Sequence, residues 1–426
     1  MKDTAKRAAG RRCAVTAGVV AALAGVTGCP GPDHPAGPLL ERAAEGSGRH
    51  TGPRPGARTA PPPGPTRTGF TLVASGDVLP HDEIIRQAQQ DGARSRRQGG
   101  RGEGARKEPD FGPMFAGVKG TVSAADLAIC HMETVYGKEE GPFRGYPSFV
   151  SPPQVARALK ETGYDSCSTA SNHTTDAGSA GVARTLAAMD KAGLRHAGSA
   201  RSEAEARQVT LLRAGPARVA QLAYTYATNA PVPKERPWMV SLTDPARILS
   251  DARAARAAGA DVVVVSMHWG TEWQSEPDEE QLSLARQLTR AGGRRRPDVD
   301  LVLGTHNHVP QAYEKVNGTW VVYGMGDQLA GRMINPQGEP DLRGNESSIA
   351  RFTFAPPARA GSRWRVVKAE FIPQVTDHGP PWRVLELPPS LRARPGGRAV
   401  LGRARKEITE AVLSRGAAED GLTPAR

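Results

Sequence analysis

From Phe70 onward, short apolar runs rich in β-branched residues alternate with segments whose apolar positions recur at helical spacing. That alternation predicts a layered α/β domain. The predicted strands are 70–77 (FTLVASGD), 125–133 (ADLAICHME), 164–173 (YDSCSTASNH), 261–270 (DVVVVSMHWG), 299–308 (VDLVLGTHNH) and 319–327 (TWVVYGMGD). Several are continuously apolar, as strands covered on both faces are. The helix SPPQVARALKETG opens on Ser151 as N-cap with Pro152 in the first turn and closes on Gly163; DPARILSDARAARAAG repeats the plan with Asp244, Pro245 and Gly259. GSAGVARTLAAMDKAG and DEEQLSLARQLTRAGG are two further helices that end in glycine. β-rich stretches at 208–224 and 349–374 either extend this sheet or build a second one. Residues 391–426, with the helix AVLGRARKEITEAVLSRG, read as peripheral.

Ahead of Phe70 the pattern disappears. Residues 30–68 are mostly Pro, Gly and Arg, a composition with too little apolar surface to bury, and read as a disordered tether. Residues 1–29 carry Lys2, Lys6, Arg7, Arg11 and Arg12 and then an apolar stretch from Ala14 to about Thr27. That stretch is short for a bilayer span and the right length for an export signal. Val26-Thr27-Gly28-Cys29 resembles the lipobox of bacterial lipoproteins, which implies acylation at Cys29 and anchoring to the outer face of the cytoplasmic membrane. An ordinary cleaved signal, giving a secreted protein, is the alternative.

The net charge of +12 changes this picture little. Much of the excess lies in the signal, the tether, the stretch DGARSRRQGGRGEGARK at 91–107 and the Arg run at 294–296. Without interleaved aromatic residues or a recognised nucleic-acid motif, the charge is not read as a nucleic-acid interface and suits an anionic surface or polymer. Of the four cysteines, Cys13 and Cys29 belong to the signal. Cys130 and Cys167 sit in apolar runs and read as small buried side chains rather than disulfide partners or nucleophiles.

Residues able to hold a metal stand at the C-terminal ends of the predicted strands: Asp77, Glu133, Asn172 beside His173, His268, and His306 with His308. Past its last hydrogen bond a strand is free to turn both imidazoles of GTHNH toward one point. Strand C-termini in open α/β sheets face the crevice where ligands bind. Taken singly, each has a plainer reading: a Gly-Asp turn, a capping glutamate, a hydrogen-bonded loop, a histidine packed beside Trp269. Taken together, carboxylate, amide oxygen and imidazole at equivalent strand ends are what one or two divalent ions require.

The order of SGDVL, ADLAICHMET, SNHTTDAGSAGVARTLAAMDKAGL, HWGTEW, GTHNHVPQAYE and VVYGMGD, from about Phe70 to Gln328, resembles the CapA family. That family is associated with bacterial poly-gamma-glutamate capsule synthesis, and its domain is similar to the calcineurin-like metallophosphoesterases. The resemblance implies a layered sandwich of mixed β-sheets flanked by helices over residues 69–390. It further implies a metal-dependent hydrolase of a phosphoester or an envelope polymer, with one or two Mn, Fe, Zn or Mg ions and capsule-export proteins as partners. Asp77, Glu133, Asn172, His268, His306 and His308 match the metal ligands, and His173 the histidine that contacts the scissile phosphate or protonates the leaving group. Asp176 and Glu272 match residues that orient imidazoles or face substrate.

The sequence also departs from the family's pattern. Leu79 stands where phosphoesterases carry a histidine two residues past the first aspartate, with His81 out of place as a substitute. His131-Met132-Glu133 replaces Asn-Leu-Glu, Ser171-Asn172-His173 replaces Asn-Asn-His, and Gly326-Asp327-Gln328 replaces Gly-Asn-Phe. These changes imply a weakened or mononuclear site and leave a second reading open: a non-catalytic envelope module that binds or guides an anionic polymer.

Overall fold

The computed structural model describes residues 69–98, 108–292, 296–359, 361–388 and 398–425. The export signal with Cys29, the tether and residues 99–107 of the Arg-rich stretch lie outside them. The strands, in chain order, are β1 (Phe70–Leu79), β2 (Leu127–Met132), β3 (Ser166–Ser168), β4 (Arg195–Ala197), β5 (Thr210–Ala214), β6 (Ala217–Thr225), β7 (Val262–His268), β8 (Leu301–Thr305), β9 (Tyr313–Val316), β10 (Thr319–Val322), β11 (Asp327–Ala330), β12 (Glu346–Ala355), β13 (Arg365–Asp377), β14 (Arg383–Glu386) and β15 (Leu422–Pro424). They form two mixed sheets. The first runs β14-β13-β12-β1-β2-β3-β4, with β11 also on β1 and β15 on β13; the second runs β5-β6-β7-β8-β10-β9.

Strand alternation explains why the runs are apolar throughout. Phe70, Leu72 and Ala74 of β1 and Val262 and Val264 of β7 enter the core between the sheets, while Val73 and Val78 pack among residues of the helices at 82–98 and 154–162. Val263 and Val265 turn the other way, toward the helices at 245–257 and 279–290. The result is the expected sandwich of two mixed sheets between helical layers; the stretch 208–224 joins the second sheet as β5 and β6, whereas 349–374 extends the first as β12 and β13. Asp244 caps its helix by accepting from the Ala246 and Arg247 amides, and Asp278 forms a capping box with Gln281. Ser151 is not an N-cap; the helix begins at Gln154, and the Ser151 hydroxyl pairs with Thr134 Oγ1 at 2.7 Å.

Other expectations are corrected. The predicted strand 164–173 is regular only at 166–168, because the Asn-His segment turns away to reach the site. The predicted strand 319–327 is two strands: the chain leaves the second sheet at Val322, passes through Gly324 and Gly326 (φ 75°), and enters the first sheet at Asp327. The C-terminal helix at 398–413 is not peripheral, since Ala404, Ile408 and Val412 join the core and β15 pairs with β13. Cys130 and Cys167 are disulfide-bonded. They are register partners on parallel β2 and β3, a cross-strand proximity that apolar runs alone do not reveal.

Candidate metal centre

Asp77 lies two residues before the end of its strand rather than at it. Up to Ala74, β1 pairs with β12; from Asp77 it pairs with β11, and the register on both sides shifts near that point. The switch depends on close backbone contact: a Cβ on Gly76 would stand 1.8 Å from the Gly326 carbonyl oxygen, so only glycine fits. Asp77 is thereby set opposite His131 of β2 on one side and Asp327 of β11 on the other. His131 and Glu133 are two residues apart, the spacing that puts side chains on one face.

The second sheet supplies the remaining donors. His268 ends β7. After β8 ends at Thr305, His306 and His308 both take left-handed backbone, at φ 94° and 60°. That conformation costs a non-glycine residue roughly 1–2 kcal/mol and marks a constraint imposed from outside the loop. Asn307 between them anchors the turn by donating from Nδ2 to the Trp269 and Thr271 carbonyls, at 3.3 and 3.2 Å. The His306 amide donates to Asp77 Oδ2 at 3.1 Å, tying the loop of one sheet to the carboxylate of the other.

Three overlapping groups result: Asp77 with His131 and His268, Glu133 with His268 and His306, and Glu133 with His308 and Asp327. Within each, the donor atoms lie within 4.8 Å of one another. Asn172 Oδ1 is 2.9 Å from His268 Nε2, and Thr305 Oγ1 is 3.1 Å from its Nδ1. His308 Nδ1 is 3.0 Å from Asp327 Oδ1. His173 Nδ1 meets Asp176 Oδ2 at 2.7 Å, and that oxygen also accepts from the Phe149 amide, whose ring packs edge-on to His173.

Burial sets the electrostatics. It pushes Asp77 up to about 8, aided by Asp327 opposite, and holds Glu133 well above the usual carboxylate range with Asp77 as its main neighbour in charge. Burial likewise drives His131 and His306 down to about 3. His308 is the exception: burial lowers it most, but Asp327, with Glu133 and Glu272 beyond it, raises it well above the usual histidine range. Within this pocket Asp77 Oδ1, His131 Nε2, both Glu133 oxygens, His306 Nδ1 and Asp327 Oδ2 are buried without a hydrogen-bond partner. Such atoms are costly to leave bare, and six of them from three carboxyls and two imidazoles form a donor set compatible with divalent metal binding.

The structure therefore brings Asp77, Glu133, Asn172, His268, His306 and His308 together. His173 and Asp176 form a bonded pair beside them. Glu272 sits at the rim, 43% exposed, with its carboxylate 4.0 Å from His306 Nε2. His81 does not join the set: its Nδ1 accepts from the Gly331 amide at 3.1 Å. Sequence reading missed His131, Asp327 and Tyr226. The first was legible as the residue two before Glu133; Asp327 required knowing that the chain changes sheets at 323–326. Tyr226, 44% exposed, lays its ring 4.6 Å from that of His306 and carried no sequence signal.

Residues 71–332 match the family model described as bacterial capsule synthesis protein PGA_cap. The chain belongs to this bacterial capsule synthesis family. It is 29% identical over 178 residues to the capsule biosynthesis protein CapA of Bacillus anthracis, covering 41% of this chain and 42% of that protein. It is 29% identical over 218 residues to a probable polyglutamine synthesis accessory protein of Mycobacterium tuberculosis, covering 48% and 56%. The matched stretch thus spans about half the length of these relatives. A solved structure similar to it is the calcineurin-like phosphoesterase YfkN from Bacillus subtilis, at 14% identity and TM-score 0.39, covering 79% of this chain and 99% of that one.

A carboxyl raised to about 8 carries its proton below that pH and must release it to hold a cation. Affinity for Mn²⁺ is therefore expected to rise between pH 6 and pH 8, by about tenfold per unit for each proton released, and to level off above. Calorimetric titration across this range checks it. Affinity that stays flat with pH, with no proton release, would contradict the assignment of these carboxyls to the ion.

Proposed function

We propose that this PGA_cap-family chain is an exported, membrane-anchored, metal-dependent hydrolase that cleaves a phosphoester or an amide bond in an anionic envelope polymer. The observation that carries the reading is the set of partnerless buried donors delivered to one pocket by both sheets, beside a bonded His173–Asp176 pair. Asp77, Glu133, Asn172, His268, His306 and His308 would hold the ion or ions. When bound, divalent metal supplies a water of lowered pKa and neutralises charge at the reacting centre.

The chain's own residues do the rest. Asp176 occupies Nδ1 of His173 and so fixes which face of the imidazole is offered, leaving Nε2 to give a proton to the departing group. The Phe149 ring holds that imidazole edge-on at 4.7 Å. Tyr226 covers His306 at the mouth; burial, with Glu272 and Glu133 nearby, pushes its hydroxyl up to about 12, so it meets substrate as a neutral donor. The capsule and polyglutamate context of the relatives is consistent with an anionic polymer as substrate. Export is supported by the signal-like N-terminus and by a disulfide, which persists in oxidising compartments.

The full chain, assayed with Mn²⁺ on an aryl phosphate and on poly-gamma-glutamate, is expected to show turnover that a chelator abolishes. His173→Ala should lower it by roughly 10²–10⁴-fold, and His306→Ala should lower metal affinity with it. Metal and polymer binding without turnover would support the non-catalytic module instead. Cys29→Ala is expected to move the protein from the membrane fraction to the medium; unchanged membrane retention would remove the lipid anchor from the proposal.

A further inference from the structure

β1 brings Asp77 to the pocket without an imidazole of its own. Two residues on, Leu79 is buried in an apolar cluster with Phe149, Ala330 and Met333. Across the strand pair, β2 sets His131 opposite Asp77 in parallel register. Its ring is held on two sides. It stacks on His268 with centroids 4.8 Å apart and planes at 23°, and its Nδ1 lies 2.7 Å from Ser168 Oγ on β3.

The direction of that last bond decides what the other nitrogen can do. The Cys130 carbonyl, 3.4 Å away, can take the Ser168 hydroxyl proton, which leaves the hydroxyl oxygen free to accept from His131 Nδ1–H. A neutral imidazole protonated at Nδ1 presents a lone pair at Nε2. Nε2 lies 3.4 Å from Asp77 Oδ1, both atoms are buried, and neither has a hydrogen-bond partner. Once Asp77 has released its proton, its oxygen and the imidazole lone pair are two bare acceptors that face each other in a dry pocket and repel unless a cation lies between them. Donors each about 2.1 Å from a shared ion stand roughly 3.0–3.4 Å apart, which is this spacing.

We propose that His131 is a metal ligand: its Nε2 joins Asp77 and His268 on one cation, so the neighbouring strand supplies the imidazole that β1 lacks. This rests on the reading that the pocket holds divalent metal. The first ion position is then complete by a different route, with Ser168 setting the tautomer that makes the nitrogen available.

The test uses the full chain labelled with ¹⁵N-histidine, stripped of metal and loaded with ¹¹³Cd²⁺. The expected NMR result is a His131 Nε2 that carries no proton and couples to ¹¹³Cd, with Nδ1 protonated. His131→Asn should lose that signal and bind Cd²⁺ at least ~100-fold more weakly at one position, and Ser168→Ala should weaken binding by roughly 10–100-fold with circular dichroism unchanged. Coupling to His268 or His306 with a protonated His131 Nε2 would overturn the proposal alone. Absence of ¹¹³Cd coupling to every imidazole of the wild-type chain would overturn the metal reading beneath it as well.

Discussion

Asp77 and Asp327 stand opposite one another on parallel β1 and β11, both fully buried, with Glu133 in reach of the same point. Like charges directly across a strand pair repel, and three carboxyls taken out of water together are far costlier than any surface arrangement. His308 compensates in part through its contact with Asp327. Of the other imidazoles, His131 and His306 are driven toward the neutral form by burial, and each leaves one nitrogen without a hydrogen-bond partner. Divalent charge at that point would turn the repulsion into attraction and use the same lone pairs that hydrogen bonds leave empty. Several local features of the fold bring these groups against one another. Gly76 lets β1 change neighbours at Asp77, Gly326 turns the chain from one sheet to the other, and two histidines adopt left-handed backbone to point inward.

The sandwich itself needs little more than strand alternation. β7 reads Val-Val-Val-Val because each face meets a hydrophobic layer, one between the sheets and one beneath helices. The site occupies an end of this sandwich where strands from both sheets finish, so its members are far apart in sequence and close in space. Asp77 and His306 are joined by one hydrogen bond across 229 positions of chain.

How much of this was legible in the sequence follows from what each signal encodes. Hydrophobic runs gave the strands, and polar residues at their ends gave Asp77, Glu133, Asn172, His268, His306 and His308, because residue type and strand position are both local properties. What failed was register. The Cys130–Cys167 disulfide, the pairing of Asp77 with His131, and the sheet change at 323–326 that delivers Asp327 all depend on which residue lies across from which. No single segment carries that information. Ser151 failed for a different reason: its hydroxyl is used by Thr134 before the helix begins. His131, Asp327 and Leu79 are places where the chain differs from its family's pattern, and two of those three differences fall inside the pocket.

Anomalous diffraction from crystals of the full chain grown with Mn²⁺ tests the central claim most directly. The account predicts a manganese peak within about 2.0–2.3 Å of oxygens of Asp77 or Glu133 and nitrogens of His268, His306 or His308. A pocket with no anomalous signal at saturating Mn²⁺, its carboxyls bonded instead to ordered water, would contradict it.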